Sequence, residues 1–368
     1  MSQLNSQQAA PAMQELKVGV IGGGFMARTH ADAIRRAGAQ LIGVRSNGEQ
    51  STQRAAAALG VPAFESVQAL IEQCDAIHIT SPNALHFEQA TAALEAGISV
   101  VCEKPLATNA HDAKQLADLA ARSTAVASVP FVYRFHPMVR QARAHVQEGK
   151  LGRLLTVRGQ YLQDWMHTVS DNDWRVEPVL GGPSRAFADI GSHLVDLLEF
   201  IAGEKIVRLN ATSSIAHTHR GAVAVDTEDA AALIVQMASG AIGTLMVSQV
   251  NAGRKNALTI ELSGEKSALE FQQEKPEELW IGKPEISSVL SRQAADLSAD
   301  AARLSVVPAG HPMGYLDAFA AFVADTYAAI AGKAPEGLPT FADGARACQL
   351  TDAVLESART GEWVATNA

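Results

Sequence analysis

The sequence predicts an α/β protein in two parts. The first is a doubly wound parallel sheet; the second is an α/β domain with an open, mostly antiparallel sheet. Three observations carry this. Short β-branched runs alternate with helical patterns over the first 130 residues, which is the sign of strand–helix–strand units. The first of these units turns through three consecutive glycines. Beyond residue 130 the alternation stops, and strands meet at Ser-Gly turns instead, as in hairpins.

The elements follow in order. Residues 17–22 (KVGVIG) read as the first strand, and 25–38 as a helix ending at Gly38. Strand two is 39–44; helices cover 51–60 and 67–73. Strands at 75–80, 99–103 and 125–129 alternate with helices at 84–97 and 110–123. Units of this size favour parallel pairing with right-handed crossovers. Residues 1–15 are polar, lack an apolar signal core and read as a flexible tail, so nothing suggests secretion.

The first turn, IGGGFMAR, fits G-x-G-x-x-[GA] through Gly22, Gly24 and Ala27. The first glycine permits a tight turn, the second lets backbone approach a pyrophosphate, and the third small residue lets helix and strand pack. The diphosphate would sit on the helix N-terminus, so Gly22, Gly24, Phe25 and Met26 are expected against a dinucleotide. An acid after strand two would hold a ribose 2′-hydroxyl. Here Arg45, Ser46 and Asn47 stand in its place, which suits a 2′-phosphate and favours NADP. Glu49 serves instead if the loop is shifted.

Ligands of open α/β sheets lie beyond the C-terminal strand ends. Those ends include TSPN (80–83) and EKP (103–105). A lysine at the end of an apolar strand is costly to bury, so Lys104 reads as a group held at the cleft for proton chemistry.

After the boundary near residue 130, a helix covers 136–152 and a strand 153–163. A polar loop with two tryptophans (164–183) precedes a helix beginning ADIGSH. Hairpins at 230–250 and 256–273 turn at Ser239-Gly240 and Ser263-Gly264, and amphipathic helices cover 314–330 and 340–359. On a helix Asp189 and His193 lie one turn apart on one face. Asp189 also suits a helix cap. Alcohol oxidation needs a base for the hydroxyl proton; a desolvated lysine or a histidine can serve, and an aspartate can orient either the histidine or the substrate. The residues leave open whether Lys104 or His193 takes the proton.

The formal net charge of −9 disfavours nucleic acid. No apolar run reaches the length of a membrane span. Cys74, Cys102 and Cys348 have no metal or redox spacing, so they read as reduced thiols of a cytoplasmic protein. His217 and His219 lack a third ligand, and no metal is expected.

In order, GVIGGGFMARTH, TSPNALH, CEKPLA and WR…GG…DIGSH…D resemble the glucose-fructose oxidoreductase / inositol dehydrogenase (Gfo/Idh/MocA) family over roughly residues 16–360. The resemblance implies an NAD(P)-binding Rossmann domain (16–130) and a substrate and oligomerisation domain (131–368). It implies oxidation or reduction of a sugar, inositol or related polyol, and a homodimer or homotetramer through the C-terminal sheet. Lys104, Asp189 and His193 match the catalytic set. Ser81, Pro82, Asn83, His86 and Glu103 match the segment beside the cofactor, whereas Arg45 and Ser46, the cofactor-binding candidates after strand two, stand where an acid is missing and so depart from an NAD-preferring pattern. Arg134, Trp174 and Arg175 match the substrate side, and His311 and Tyr315 are further hydroxyl-binding candidates. Asp164 and His167 are added as sugar-lining residues. The resemblance also implies a cis bond before Pro105. The GGPSR stretch departs from the family's third glycine, leaving the pocket's shape open. The competing readings are a dinucleotide-binding sensor without catalysis, which has no need of Lys, Asp and His together, and an enzyme acting on a diol or imine.

Overall fold

The structure is a computed structural model that describes residues 15–366 apart from 294 and 296. The tail expected over 1–15 falls, but for Glu15, outside the described residues. Strands β1 (Lys17–Ile21), β2 (Gln40–Arg45), β3 (Ala76–Ile79), β4 (Ser99–Cys102) and β5 (Ala127–Ser128) form a parallel sheet in the order β2-β1-β3-β4-β5. Helices α1 (Phe25–Arg36), α2 (Glu49–Leu59), α3 (Val67–Ile71), α4 (His86–Glu95) and α5 (Ala110–Arg122) connect them. All four residues of β3 and of β4 are buried, as expected of strands covered on both faces. Because β2 and β3 lie on opposite sides of β1, the loops after β1 and β3 diverge at a topological switch point, where such sheets bind ligands.

The chain continues through α6 (Pro137–Gln147), β6 (Leu154–Leu162), α7 (Pro178–Gly181), α8 (Ser192–Ala202), β7 (Ile206–Ser214), β8 (His219–Arg220) and β9 (Val223–Ala224). It then forms β10 (Ala230–Met237), β11 (Ile242–Ser248), β12 (Ala257–Gly264), β13 (Ala268–Gln272), β14 (Glu278–Gly282) and β15 (Ser287–Ser291). The last elements are α9 (Ala299–Leu304), α10 (Tyr315–Ile330), α11 (Phe341–Thr360) and β16 (Val364–Ala365). The second sheet runs β15-β14-β13-β12-β6-β11-β10-β7-β16, every pairing antiparallel except β6 with β11. Sequence patterning missed β7, β14 and β15. It also set the second hairpin turn too early: Gly264 still pairs with Leu154 of β6, and the chain turns over 265–267.

Helix α8 is apolar nearly all round and buried from Ser192 to Ile201, so it serves as a core element. Gly159 of β6 admits it: a Cβ there would lie 3.1 Å from Leu194 and 2.9 Å from Leu245. Helices α10 and α11 return to the first sheet's layers. Phe319 packs edge-on against His30 of α1, and Val129 donates to the Pro339 carbonyl. The site is thus built between two sheets whose helices are shared.

Candidate active site

The loop after β1 makes the cradle. Gly22 has φ +120°, and a Cβ there would meet the Thr80 backbone at 2.7 Å, so only glycine lets these two loops touch. A Cβ at Gly24 meets nothing within 4 Å. That open space borders two cavities, of about 680 Å³ and about 520 Å³, which share Gly24, Thr80 and Trp174. Gly24 is also the N-cap of α1, with no side chain capping its first turn. The free N–H groups and the helix dipole suit a diphosphate there. The residues present therefore fit a dinucleotide lying across both cavities.

In the smaller cavity Ser46 lies with Asn47, Ser51, Arg28 and Arg54. Arg45 is not among them. Its guanidinium donates to the Phe64 carbonyl (3.1 Å) and faces Glu49 at 3.6 Å. The expected role of Arg45 is thus displaced: a strand alternates its side chains, and Arg45 points away from the cleft. The cations that border this cavity are Arg54 of α2 and Arg28 of α1. Glu49 is exposed and accepts from Gln53.

Other expected cofactor residues build the rim. Ser81 and Pro82 border the smaller cavity. Asn83 donates to the Gly181 carbonyl (2.9 Å) and so fixes the Gly181-Gly182 turn to the first domain. The buried ring nitrogens of His86 lie 2.8 Å from the Pro105 carbonyl oxygen and 2.9 Å from that of Ser81. Asn83 and His86 therefore shape the rim through protein contacts. Glu103 is buried, accepts from the Lys104 backbone N–H and pairs with His30 at 3.1 Å.

The larger cavity gathers Lys104, Asp189 and His193, the three residues expected to be catalytic. The Lys104–Pro105 bond is cis. The Lys104 ammonium donates to Asp189 Oδ1 (2.7 Å) and to the Asp189 carbonyl oxygen (2.9 Å). Asp189 is not a helix cap. It lies inside a π-helical turn, Phe187–Gly191, that leads into α8. Such turns mark local departures from i→i+4 bonding, often at functional sites. Burial alone would push the Asp189 carboxyl up, but the charges of Lys104 and Arg175 outweigh it and hold the group well below the usual carboxylate range. His193 packs against Tyr133 (5.0 Å between rings) and Phe131, and its Nδ1 is buried with no hydrogen-bond partner among the described residues. Burial and then the Lys104 charge push His193 down to about 3, so it is neutral at pH 7. Asp189 bonds to Lys104 and not to His193, so the lysine is the group it orients.

Trp174 and Arg175 border the same cavity; the guanidinium stacks on the indole at 4.5 Å, binds Asp173 and lies 3.6 Å from Asp189. Tyr315 lines it as well. Arg134, His311, Asp164 and His167 do not. Arg134 is buried and committed to Asp196 and Asp343. The exposed His311 turns its ring to the Pro308 carbonyl, Asp164 is paired with Lys255 (2.6 Å), and His167 faces the Val250 carbonyl.

Residues absent from the sequence reading complete the wall. Asn256 donates to Tyr133, Tyr133 lies 2.6 Å from Tyr161, and Tyr161 donates back to Asn256. Gln163 joins this ring through Asn256 and holds the Trp165 indole N–H (2.8 Å). These partners come from three separate strands or loops, and no local motif announces them.

A dinucleotide cradle at the switch point of a Rossmann sheet, facing a lysine–aspartate pair and a neutral histidine across a second domain, defines a nicotinamide-dinucleotide-dependent oxidoreductase. Residues 16–131 match the Gfo/Idh/MocA oxidoreductase family's NAD-binding Rossmann fold, and 139–270 match that family's C-terminal domain. Levoglucosan dehydrogenase of Pseudarthrobacter phenanthrenivorans is 32% identical over 96% of this chain and 98% of its own length. A solved levoglucosan dehydrogenase complex with NADH and levoglucosan superposes with a TM-score of 0.89 at 29% identity, covering 96% of this chain and 100% of that one. An inositol dehydrogenase homolog from Azotobacter vinelandii with NAD+ gives 0.88 at 27% identity, over 97% and 99% of the two chains. The chain belongs to the Gfo/Idh/MocA oxidoreductase family.

Proposed function

We propose that the protein is an NAD(P)-dependent dehydrogenase that oxidises a ring carbinol of a sugar, inositol or related polyol, or reduces the matching ketone. One observation carries this. The Lys104 ammonium spends two of its three donors on Asp189, leaving one for a cavity bordered by His193 and an aromatic, hydroxyl-rich wall. Relatives named for levoglucosan and inositol support the substrate class.

When bound on Gly22, Gly24 and the start of α1, the dinucleotide supplies the hydride acceptor. The chain's own residues manage the proton. Neutral His193 takes the hydroxyl proton, and the Lys104 ammonium stabilises the oxyanion that develops. Asp189 holds Lys104 charged and aimed. In the reducing direction the same groups act in reverse. Trp165 and Trp174 offer aromatic faces to a sugar ring, and the tyrosine–asparagine ring offers polar edges.

The preferred dinucleotide in this reading is NADP. Arg54, Arg28 and the small polar groups Ser46, Asn47 and Ser51 border the smaller cavity, and no acid among the described residues does; cations and hydroxyls suit a 2′-phosphate. Residues 16–130 would hold the dinucleotide, and 131–368 the substrate and the oligomer contact. The uncovered face of the second sheet exposes Ile234, Ile242 and Met246, which supports pairing of two copies there. No helix among the described residues is long and apolar enough to cross a membrane. The three cysteines are buried free thiols, which supports a cytoplasmic setting. The test is fluorescence titration with NADPH and NADH, then absorbance at the reduced-nicotinamide band with a panel of sugars and inositols. Binding with turnover on one polyol is expected; binding without turnover on any would favour a sensor or a non-sugar enzyme.

A further inference from the structure

We propose that Gln249 is a positioning residue for the reaction: it fixes the rotation of the Asp189 carboxylate, and buried Arg185 anchors it for that task. The proposal rests on the role given above to Lys104 and Asp189.

Gln249 follows β11 and is fully buried. Its Nε2 donates to Asp189 Oδ2 (2.7 Å), and its Oε1 accepts from Arg185 (2.9 Å). The amide can face only one way, because a carboxylate needs a donor and a guanidinium needs an acceptor. The backbone is pinned as well: Gln249 N–H donates to the Asp229 carbonyl, and its own carbonyl accepts from Met166 N–H. Behind it, Arg185 and Arg220 share the Asp229 carboxylate, and all three side chains are inaccessible to solvent. Arg220 also donates to the carbonyls of Met166, Thr168 and Asp171. One buried cluster therefore holds the loop that carries Trp165 and Trp174 and, through Gln249, the carboxylate that aims Lys104.

The two oxygens of Asp189 are thus divided. Oδ1 takes Lys104, with Arg175 3.6 Å away; Oδ2 takes Gln249. Without the amide, Oδ2 of this half-buried carboxylate loses its donor among the described residues, which is costly. The carboxylate would then turn toward Arg175, and Lys104 would leave its place. Displacing a reacting group by about 1 Å can cost about a hundredfold in rate.

Two variants test this, with Lys104→Ala as the reference. Gln249→Leu should fold, bind NADPH normally and lose about ten- to a hundredfold in kcat on levoglucosan or myo-inositol, with KM within about threefold. Gln249→Glu keeps the Arg185 bond but sets a carboxylate against Asp189. The groups facing this pair are Lys104, Arg175, His193 and Arg185, with Asp229 and Glu103 beyond. Its deficit should shrink as pH falls and the pair takes up a proton that restores the donor, whereas the Gln249→Leu deficit should not change with pH. A crystal structure of Gln249→Leu supplies a readout independent of substrate: a rotated Asp189 carboxylate and a displaced Lys104 are expected. Unchanged geometry, or wild-type kcat in a folded Gln249→Leu protein while Lys104→Ala is inactive, would overturn this proposal alone. Full activity of Lys104→Ala would overturn the reading beneath it and the proposal with it.

Discussion

Lys104 and Asp189, 85 positions apart, meet through two hydrogen bonds, 2.7 Å to the carboxylate and 2.9 Å to the main-chain carbonyl. The lysine stands at the end of a strand of the first sheet, and the aspartate in a π turn of the second domain. Neither domain alone forms the pair. The bond is therefore both a seam between domains and the centre of the site.

The two glycines of the cradle should separate stability from binding. Gly22→Ala sets a Cβ against Thr80 in a left-handed backbone, and should destabilise the fold by about 1–3 kcal/mol, read as a lowered Tm. Gly24→Val projects into open space and should leave Tm nearly unchanged while weakening NADPH binding at least about tenfold. Equal effects of both on Tm would contradict the cradle described.

Arg54 should decide the dinucleotide. Arg54→Ala is expected to raise KM for NADP+ about tenfold or more and that for NAD+ little, as measured by steady-state rates at fixed substrate. Arg45→Ala should change neither, since its guanidinium is held by Phe64. The reverse pattern would restore the sequence-based assignment.

Acid should destabilise the fold from below pH 6.5. Burial pushes His78, His86, His136 and His193 down, His136 to about 4 and His193 to about 3. Below 6.5 the unfolded chain protonates these rings and the folded chain does not, so the unfolded state binds more protons and stability falls with pH. Each ring should contribute about 1 kcal/mol per pH unit within its window. Asp189, held low, adds nothing until pH falls below 3.8. Denaturant midpoints at pH 7.5 and 5.5 check this; equal midpoints would contradict it.

The exposed sheet face should be an interface. Ile242, 56% exposed on β11, lies on the same face as Met246 and Ile234, which a period of two dictates. Ile242→Lys should convert the oligomer to monomer in sedimentation velocity. A wild-type chain that sediments as a monomer would contradict the proposal.

Much of the fold is legible because its signals are local. Period-two runs, helical stretches and the Gly22–Ala27 turn each lie within one short window. Lys104 is legible because a cation at the end of β4 conflicts with burial. The spacing of Asp189 and His193 is legible, but not its geometry. Glu228 accepts from the backbone N–H groups of Arg185 and Phe187, so the π turn is braced by a residue some forty positions away. The same reason hides Gln249, Asn256 and the paired tyrosines, whose partners meet only across strands. Arg45 misled because strand alternation, and not residue type, sets which side chain faces the cleft. Strands β14 and β15 were missed because most of β15 is exposed, leaving little apolar alternation to read.

The most direct test is the turnover and dinucleotide affinity of Lys104→Ala beside the wild type. Rates come from reduced-nicotinamide absorbance with a polyol the wild type accepts, and affinity from NADPH fluorescence titration. Loss of the cation that stabilises the developing oxyanion should lower kcat by at least about a hundredfold and leave the Kd for NADPH within about threefold. Unchanged turnover, or parallel losses in kcat and affinity, would contradict a catalytic role for Lys104.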